Sequence, residues 1–459
     1  MENITLEEVL KATEGNLIIN GPKTSFNLVS IDTRKLEKGC IYIAIKGENF
    51  DGNDFVVEAI NKGAELCIID KIAYTEAEVL NKSAIVLVEN TKKALMQLAK
   101  YYRNKLDIKV IGVTGSTGKT STKDLIAAAL SEKLKVFKTK GNFNNEIGLP
   151  LMIFNLDNTY DVAVLEMGMS DLFEIQRLSD VARPDLGVIT NIGISHIENL
   201  KTRENILKAK MEITTYFGKE NLLIVNHDDQ YLSTIDKAEY RLIKASISDD
   251  KNIDLKGESL VLKEDSCEFK LNESKFYIPM PGKHNISNAL LAIACARELG
   301  VEDQLINKGF LNIEATSMRL DIEKNKGITI INDTYNASPD SMKAAIEVMK
   351  NLKGKRRIAV VGTMKELGEN SFEYHKEMGI FAKENSVDIL IAIGEFAKAY
   401  SEGFNNKNSS IELAEKEGAI AYLTSEIREE DIILVKASRS MKFETIVEAL
   451  KIFTTNEGE

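Results

Sequence analysis

The sequence predicts an α/β protein of three domains, and three observations lead to this fold class. The chain has 459 residues, and globular domains average about 150 residues. Short apolar segments alternate with segments of helical periodicity, which is typical of sheets with mainly parallel strands. A glycine-rich turn at residues 114–122 joins one such segment to a helix. We expect three domains, at residues 1–105, 106–314 and 315–459.

The first domain is predicted as a small α/β unit. The opening residues have the pattern of an amphipathic helix, and the run Ile41–Ile45 alternates like a strand. Residues 55–62 are predicted to form a helix that ends at Gly63, since glycine is a common helix C-cap. The remaining predicted elements are two short strands and a closing helix, at residues 67–69, 85–88 and 91–105.

Apolar strands also organise the second and third domains. In the second domain the predicted strands are residues 109–114, 162–165, 186–190 and 222–225, and a helix is expected at 286–299. In the third domain the predicted strands are residues 328–331, 358–361, 389–393 and 432–435. The basic run 353–357 is interpreted as a solvated turn, because a charge run before a strand is more typical of a turn than of a nucleic-acid site.

Composition and charge exclude several classes of protein. Hydrophobic residues make up 44% and charged residues 28%, with a net charge of −11, which is ordinary for a globular chain. An acidic surface disfavours nucleic acid and anionic membranes as partners, so any phosphate must be bound by a local site. No apolar run approaches the roughly 18 residues that span a bilayer. We therefore expect a cytoplasmic protein without membrane insertion.

The four cysteines are Cys40, Cys67, Cys267 and Cys295. They lie far apart in the sequence, without a CxxC pair and without a preceding secretory signal. This pattern predicts reduced, mostly buried thiols rather than disulfides or a zinc site.

A phosphate-binding loop is the clearest functional signal. Residues 114–122 read Thr-Gly-Ser-Thr-Gly-Lys-Thr-Ser-Thr, and a helical run follows at 123–130. Backbone N–H groups of such a loop, together with the helix dipole, favour phosphate, while Lys119 can reach the β- and γ-phosphates and Thr120 can ligate Mg²⁺. The general GxxxxGK[ST] pattern asks for glycine at position 113, where the chain has Val113. A plain strand–turn–helix joint is the alternative, and we favour ATP or GTP binding.

Further polar candidates follow the predicted strands of the second domain. Glu166 follows strand 162–165, His196 lies after strand 186–190, and His227 lies after strand 222–225. Ligands of parallel sheets bind at the carboxyl ends of strands, where Glu166 could hold Mg²⁺. For each residue alone we favour the plain reading, an ordinary polar residue at a strand end. Together with the phosphate-binding loop, we favour the reading as functional residues.

Two other segments have simple structural readings from their residues alone. The helix predicted at 205–213 carries Lys208 and Lys210, and its plain reading is a solvated lysine face. Residues 332–340 read as a turn with an N-cap, although their polar groups also suit a small polar ligand.

Short motifs spread over nearly the whole chain carry a resemblance to a known family. They are Asp32–Arg34, Phe50–Gly52 with Phe55, Thr114–Thr122, Gly141–Asn145, Glu166–Gly168, His196, Ala209 and Lys210 with Glu212, Gly282–Asn285 with Asn288, Arg319 and Leu320, Asn332–Met342, Gly362–Met364 with Glu366–Gly368, and Ser438 with Arg439. In this order they resemble the Mur ligase family, whose nucleotide loop has the form TGxxGKT. Residues 332–342 resemble the dipeptide-adding branch of that family.

The resemblance implies an N-terminal UDP-binding domain, a central P-loop ATPase and a C-terminal Rossmann-like domain. It implies ATP and Mg²⁺ as cofactors, with Asn288 on the adenine side and Arg319 and Asp333 reaching ATP from the third domain. The ATP-binding loop would comprise Thr114, Gly115, Ser116, Thr117, Gly118, Lys119, Thr120 and Ser121. The implied catalytic residues are Lys119, Glu166, His196 and Lys210, and the implied metal ligands are Thr120, Glu166, His196 and Lys210.

Lys210 would be carbamylated by similarity to the family, which turns a cation into an oxygen ligand for a second Mg²⁺. Lys208 is the nearby competitor, but the Ala-Lys-x-Glu match favours Lys210. The implied partners are UDP-N-acetylmuramoyl-tripeptide and D-alanyl-D-alanine, joined through an acyl phosphate in peptidoglycan precursor synthesis. The family suggests a monomer. The implied substrate-binding residues are Ser30, Asp32, Thr33, Arg34, Asn144, Asn145, Tyr335, Asn336 and Ser338.

Three rival functions follow from the same residues. A sister ligase that adds one amino acid is the nearest, but its diaminopimelate-adding branch carries an Asp-Asn-Pro-Arg motif that this sequence lacks. Folylpolyglutamate synthase shares the ATPase design without the sugar-nucleotide domain. A catalytically silent nucleotide-binding scaffold would have no need of Lys119, Glu166, His196 and Lys210 together. The residues alone indicate no base for the attacking amine.

Overall fold

The computed structural model describes residues 1–236, 239–250 and 252–456, and three large sheets follow one another along this part of the chain. Each sheet is built mainly from the apolar runs that predicted its strands. None of the helices in these residues combines the length and apolar character that crossing a bilayer demands.

The first unit is a five-stranded sheet covered by helices. Its elements are β1 (Ile4–Thr5), α1 (Leu6–Thr13), β2 (Asn16–Ile19), β3 (Ser25–Phe26), β4 (Val29–Ser30), β5 (Ile41–Ile43), α2 (Val56–Asn61), β6 (Leu66–Ile69), α3 (Glu76–Val79), β7 (Ala84–Leu87) and α4 (Thr91–Arg103). The strand order is β2-β7-β6-β5-β4, parallel except for β2, and β1 pairs separately with β3. Gly63 has φ +104°, as the predicted helix end requires.

The central unit holds the longest sheet. Its elements are β8 (Lys109–Thr114), α5 (Lys119–Ser131), β9 (Val136–Lys138), α6 (Gly148–Ile153), β10 (Val162–Glu166), α7 (Glu174–Ala182), β11 (Leu186–Ile189), α8 (Ile197–Leu200), α9 (Arg203–Met211), β12 (Leu222–Asn226), β13 (Arg241–Ser246), β14 (Leu255–Lys256), β15 (Glu258–Leu262), β16 (Cys267–Leu271), β17 (Ser274–Ile278), α10 (Lys283–Glu298) and α11 (Asp303–Leu311).

The order of the central strands places the phosphate loop at the position where parallel sheets bind ligands. The seven strands run in the order β14-β13-β12-β11-β8-β10-β9, and every pair is parallel. The chain leaves β8 toward one side of the sheet and returns with β11 on the other side. A crevice forms at such a switch point, beyond the carboxyl ends of the strands. The loop that follows β8 therefore opens into this crevice.

The third unit is a six-stranded sheet with helices on both faces. Its elements are β18 (Asp321–Asn325), β19 (Ile328–Asn332), α12 (Pro339–Asn351), β20 (Arg356–Gly362), α13 (Ser371–Glu384), β21 (Ile389–Ile393), α14 (Ala397–Phe404), β22 (Ser410–Leu413), α15 (Lys416–Glu426), β23 (Asp431–Lys436) and α16 (Glu444–Asn456). The order is β18-β19-β23-β20-β21-β22, and only β18 is antiparallel to its neighbour among these described strands.

Two predictions about local structure need correction, while the prediction for the cysteines is confirmed. All four cysteines are free and buried. The basic run 353–357 is not entirely a solvated turn, because Arg356 and Arg357 begin β20, and Arg356 pairs with the buried Asp431 at 2.6 Å. The helix after the phosphate loop begins at Lys119 rather than at residue 123, so the lysine and threonine of the motif form its first turn.

Candidate active site

The phosphate loop connects β8 to α5 through two glycines in the left-handed region. Gly115 has φ +153° and Gly118 has φ +77°. A Cβ atom at Gly115 would lie 1.8 Å from Thr190 Oγ1, so no larger residue fits there. Val113 is instead a buried residue of β8, paired with Glu166 on one side and Val188 on the other. The absence of glycine at position 113 thus suits the strand and leaves the loop intact.

Asn191 fixes the conformation of the loop from the end of the neighbouring strand. Its Oδ1 accepts hydrogen bonds from the backbone N–H of Ser116 at 3.0 Å and of Thr117 at 2.9 Å. Its Nδ2 donates to Thr117 Oγ1 at 2.5 Å. Sequence reasoning missed this residue, although it directly follows the predicted strand 186–190 and the strand-end rule could have found it.

Thr120 and Glu166 meet at the carboxyl end of β10. The Thr120 hydroxyl donates to Glu166 Oε2 at 3.0 Å, and Asn144 Nδ2 donates to Glu166 Oε1 at 2.8 Å. Glu166 is the last residue of its strand and is 2% exposed. A buried carboxylate beside a hydroxyl, at the first turn of α5, is a donor set that suits a hard cation.

Lys119, which is half-buried, and the buried Lys210 lie close enough together to interact electrostatically. Lys119 Nζ donates to the carbonyl oxygen of Gly115 at 2.8 Å, and burial lowers its pKa, although nearby Glu166 counteracts the shift. Lys210, on α9, is 1% exposed. Burial, together with the neighbouring Lys119, lowers the pKa of Lys210 well below its usual range. The plain reading of a solvated lysine face is therefore wrong for Lys210, whereas Lys208 is exposed.

Glu212, the acidic residue of the Ala-Lys-x-Glu match, caps the N-terminus of α7. Its Oε1 accepts from the N–H of Phe173 at 2.7 Å and its Oε2 from the N–H of Gln176 at 3.1 Å. This contact ties the end of α9, the helix that carries Lys210, to α7.

The third unit contributes the ion pair of Asp333 and Lys436, on the side of the crevice opposite the phosphate loop. Asp333 Oδ2 accepts from Lys436 Nζ at 2.5 Å, and its Oδ1 accepts from the N–H of Leu320 at 3.2 Å. The Arg319 guanidinium lies over the Tyr335 ring, 4.0 Å from its centroid. Lys436 is 1% exposed, and burial lowers its pKa against the opposing effect of Asp333. Sequence reasoning missed Lys436, which directly follows the predicted strand 432–435 and is the last residue of β23.

One cavity of about 630 Å³ joins these groups between the central and third units. Burial lowers the pKa of His284 on its wall to about 4, so this imidazole is neutral near pH 7. Ser338 lies at the N-cap of α12, as its turn-like sequence predicted, and also faces the cavity. The predicted site residues among its lining are Ser116, Thr117, Gly118, Lys119, Thr120, Ser121, Asn144, Asn145, Glu166, His196, Asn288, Arg319, Asp333, Tyr335, Asn336 and Ser338.

The predicted sugar-nucleotide residues lie elsewhere, on the first unit. Ser30 ends β4, and Asp32 caps the short turn that contains Thr33 and Arg34. Arg34 donates two hydrogen bonds to the Asp32 carboxylate, from Nε to Oδ1 at 2.9 Å and from Nη2 to Oδ2 at 2.8 Å. These bonds lower the pKa of Asp32 to about 2. These four residues are not among the described residues that line the cavity, and neither are Thr114, Gly115 and Lys210.

A P-loop at a sheet switch point, together with a buried carboxylate, a buried lysine and a facing third unit, is the arrangement of a nucleotide-dependent enzyme. Family models match all three units: the Mur ligase family catalytic domain at residues 25–103, the Mur ligase middle domain at 113–296 and the Mur ligase glutamate ligase domain at 318–439. The chain belongs to the Mur ligase family.

Full-length similarity extends to one branch of this family. The chain is 38% identical to the UDP-N-acetylmuramoyl-tripeptide–D-alanyl-D-alanine ligase of Bacillus subtilis over 452 residues, which cover 97% of each protein. A crystal structure of MurF from Acinetobacter baumannii superposes with a TM-score of 0.90 at 30% identity, covering 98% of this chain and 99% of that one. MurF ligase from Thermotoga maritima in complex with ADP gives 0.82 at 29% identity, covering 94% and 98%.

Proposed function

We propose that this protein is an ATP-dependent ligase that joins D-alanyl-D-alanine to UDP-N-acetylmuramoyl-tripeptide and so completes a peptidoglycan precursor. The observation that carries the proposal is the shared cavity, in which the phosphate loop, Glu166 and the polar groups after β19 face one another. The full-length likeness to ligases with this name supports it. We further propose that the domains divide near residues 105 and 315, and that the enzyme acts as a cytoplasmic monomer.

The loop is suited to the phosphates of ATP. Its N–H groups lie at the start of α5, where the helix dipole favours anions, and Lys119 adds a cation. Asn288 lies directly behind Gly118, since a Cβ atom at that glycine would be 3.1 Å from Asn288 Oδ1. We assign Asn288 to the adenine side, and Arg319 and Asp333 to contacts from the third unit. The ADP complex of the Thermotoga maritima ligase supports binding of an adenine nucleotide.

The residues beside the loop fit Mg²⁺. No group of three or more His, Cys, Asp and Glu side chains forms a metal cage in the described part of the chain. Mg²⁺ does not need one, because it is usually held by one or two carboxylates together with substrate phosphates. Thr120, Glu166 and His196 would hold it here. When bound, Mg²⁺ would offset the negative charge that accumulates during phosphoryl transfer.

The buried Lys210 is suited to carbamylation. Burial lowers the pKa of its amine well below the usual range, which favours the neutral form, and only a neutral amine adds to carbon dioxide. The product carries a negative charge and two oxygens, which suits the position next to the Lys119 ammonium. A carbamate at Lys210 would supply the oxygen ligands that an ammonium cannot.

The chain's own groups then account for the two steps of ligation. The terminal carboxylate of the tripeptide attacks the γ-phosphorus of ATP, the bond to the β-phosphate oxygen breaks, and ADP leaves. The dipeptide amine next attacks the acyl carbon, phosphate leaves with the electrons of the carbon–oxygen bond, and the proton that the nitrogen loses passes to the released phosphate or to solvent. Lys119 stabilises the phosphoryl charge in both steps. We assign Asn144 and Asn145 to the tripeptide, Tyr335, Asn336 and Ser338 to the dipeptide, and Ser30, Asp32, Thr33 and Arg34 to the UDP-sugar.

Phosphate release with different acceptors tests the proposal. With ATP, Mg²⁺ and UDP-N-acetylmuramoyl-tripeptide, we expect release with D-alanyl-D-alanine and not with single amino acids. Lys119→Ala should abolish it without changing the far-ultraviolet circular dichroism. Release with a single amino acid instead would assign the protein to a sister ligase, and silence with every acceptor would favour a scaffold.

A further inference from the structure

A loop of the third unit brings a carboxylate to His196 of the central unit. Glu366, in the segment 363–368 after β20, has Oε2 2.5 Å from His196 Nδ1. The backbone supports the contact, because the N–H of Glu198 donates to the carbonyl oxygen of Glu366 at 3.2 Å. His196 and Glu366 have φ values of +64° and +63°. A positive φ raises the backbone energy of a residue other than glycine. Two such residues lie in contact where the central and third units meet, and strain of this kind is typical of functional sites.

Buried polar groups hold the loop that presents Glu366. The N–H of Met364 donates to His375 Nε2 at 2.8 Å, and the N–H of Lys365 donates to Ser438 Oγ at 3.0 Å. His375 is fully buried, and its ring stacks on Phe396 with centroids 4.3 Å apart. The two residues directly before Glu366 are therefore held in place, although the Glu366 side chain itself is about half exposed.

The contact favours one tautomer of His196. Its Nδ1 is buried and makes no hydrogen bond of regular geometry, but a bare lone pair there would repel a carboxylate oxygen at 2.5 Å, so the neutral ring with its proton on Nδ1 is the favoured form. The lone pair of Nε2 is then free to bind a cation from the cavity that His196 lines. Carboxylates act in this way on metal-binding histidines, and their removal typically weakens metal affinity about 10–100-fold.

We propose that Glu366 is the positioning residue of His196, holding the imidazole as the Nδ1–H tautomer so that Nε2 can ligate Mg²⁺. The proposal rests on the proposed role of His196 in metal binding. Because Glu366 belongs to the third unit, docking of that unit and completion of the metal site become one event.

The tautomer is measured directly by nitrogen-15 histidine NMR at pH 8. The chain has only four histidines, and the signal that disappears in His196→Asn is assigned to His196. We expect Nδ1–H for His196 in the wild type and in Glu366→Gln, whose amide oxygen still accepts a hydrogen bond. Glu366→Ala should move His196 toward the Nε2–H form. Glu369→Gln is the matched control, because it removes the charge of an exposed glutamate three residues away.

Binding of Mn²⁺ with ADP, followed by electron paramagnetic resonance, gives the second readout. Glu366→Ala should weaken Mn²⁺ about 10–100-fold, and Glu369→Gln should leave it unchanged, with equal thermal midpoints for both variants. An unchanged tautomer or an unchanged Mn²⁺ affinity in Glu366→Ala overturns the proposal. Neither readout requires turnover, so failure of the wild type to ligate D-alanyl-D-alanine would contradict the proposed function and leave this inference standing.

Discussion

At the scale of single residues, two lysines interact with each other, and one of them, Lys119, also lies near Glu166. Lys119 and Lys210 both have lowered pKa values, with burial as the largest cause. Placing a neutral amine next to an ammonium costs less than burying two cations side by side. The two neighbouring lysines destabilise the free enzyme. The same position of Lys210 becomes favourable when carbamylation turns its side chain into an anion.

Replacing Lys210 tests its neutral state through the pH dependence of stability. The folded state binds fewer protons at Lys210 than the unfolded state, so wild-type stability should rise with pH until the unfolded pKa, about 10.4. Lys210→Met lacks this contribution, which reaches at most about 1.4 kcal/mol per pH unit. In buffer free of carbon dioxide, the variant should be the more stable protein at pH 7. The difference in Tm between Lys210→Met and the wild type should decrease as the pH rises to 9.5.

The exposed Lys208, two residues earlier on the same helix, provides the control. Lys208→Met should follow the wild-type profile. Parallel Tm profiles for wild type and Lys210→Met would mean that Lys210 is charged in the folded protein, and the carbamate assignment would lose its basis.

Individual site residues were predictable where one local rule identifies them. Thr120 and Lys119 follow from the loop motif, and Glu166 follows from its place at a strand end. Asn191 and Lys436 were missed because their importance depends on the partner across the crevice, in one case loop N–H groups and in the other Asp333. Sequence order does not reveal such pairs.

At the scale of elements, α5 connects the phosphate loop to the linker before the third unit. Asp124 on this helix is 2% exposed, and its Oδ2 accepts from the N–H and the hydroxyl of Thr316, at 3.0 and 2.7 Å. Its Oδ1 pairs with Lys123 and Lys138, at 3.3 and 3.0 Å. Arg319 follows three residues after Thr316, so the helix that carries Lys119 also anchors the segment that carries Arg319.

Thr316→Val should loosen this anchor. Losing a hydrogen bond to a charged group typically costs about 1.5–3 kcal/mol, and we expect a lower Tm with a several-fold higher KM for ATP. Thr445→Val serves as the control, because it removes an exposed hydroxyl that donates to the Lys442 carbonyl at 2.9 Å. A lower Tm with an unchanged KM for ATP in Thr316→Val would mean that the contact between Thr316 and Asp124 stabilises the fold without affecting ATP binding.

Strands that consist of continuous apolar residues were predicted more accurately from the sequence than strands of mixed composition. Strands such as β8 and β21 were predicted to the residue, since buried parallel strands are continuous apolar runs. The antiparallel strands β15 to β17 were not predicted, because β15 is largely exposed and its sequence is mixed. The start of α5 was placed late because the loop and the first helical turn share polar residues.

At the scale of the whole molecule, the site exists only where the units meet. The central unit supplies the phosphate loop and Glu166, and the third unit supplies Arg319, Asp333 and the residues after β19. Asp340 of α12 lies against Gly193, beside the loop residue Ser116. An enzyme that must join a nucleotide, an acyl donor and an amine has reason to divide its binding groups among separate units.

Single-turnover ligation with an isotope label follows the acyl phosphate through both steps of the reaction. UDP-N-acetylmuramoyl-tripeptide labelled with oxygen-18 in its terminal carboxylate is mixed with enzyme, ATP, Mg²⁺ and D-alanyl-D-alanine, and all products are weighed by mass spectrometry. We predict a UDP-linked pentapeptide and one labelled oxygen in the released phosphate, because the carboxylate oxygen leaves with the phosphoryl group. Unlabelled phosphate, or a product extended by a single amino acid, would contradict the account.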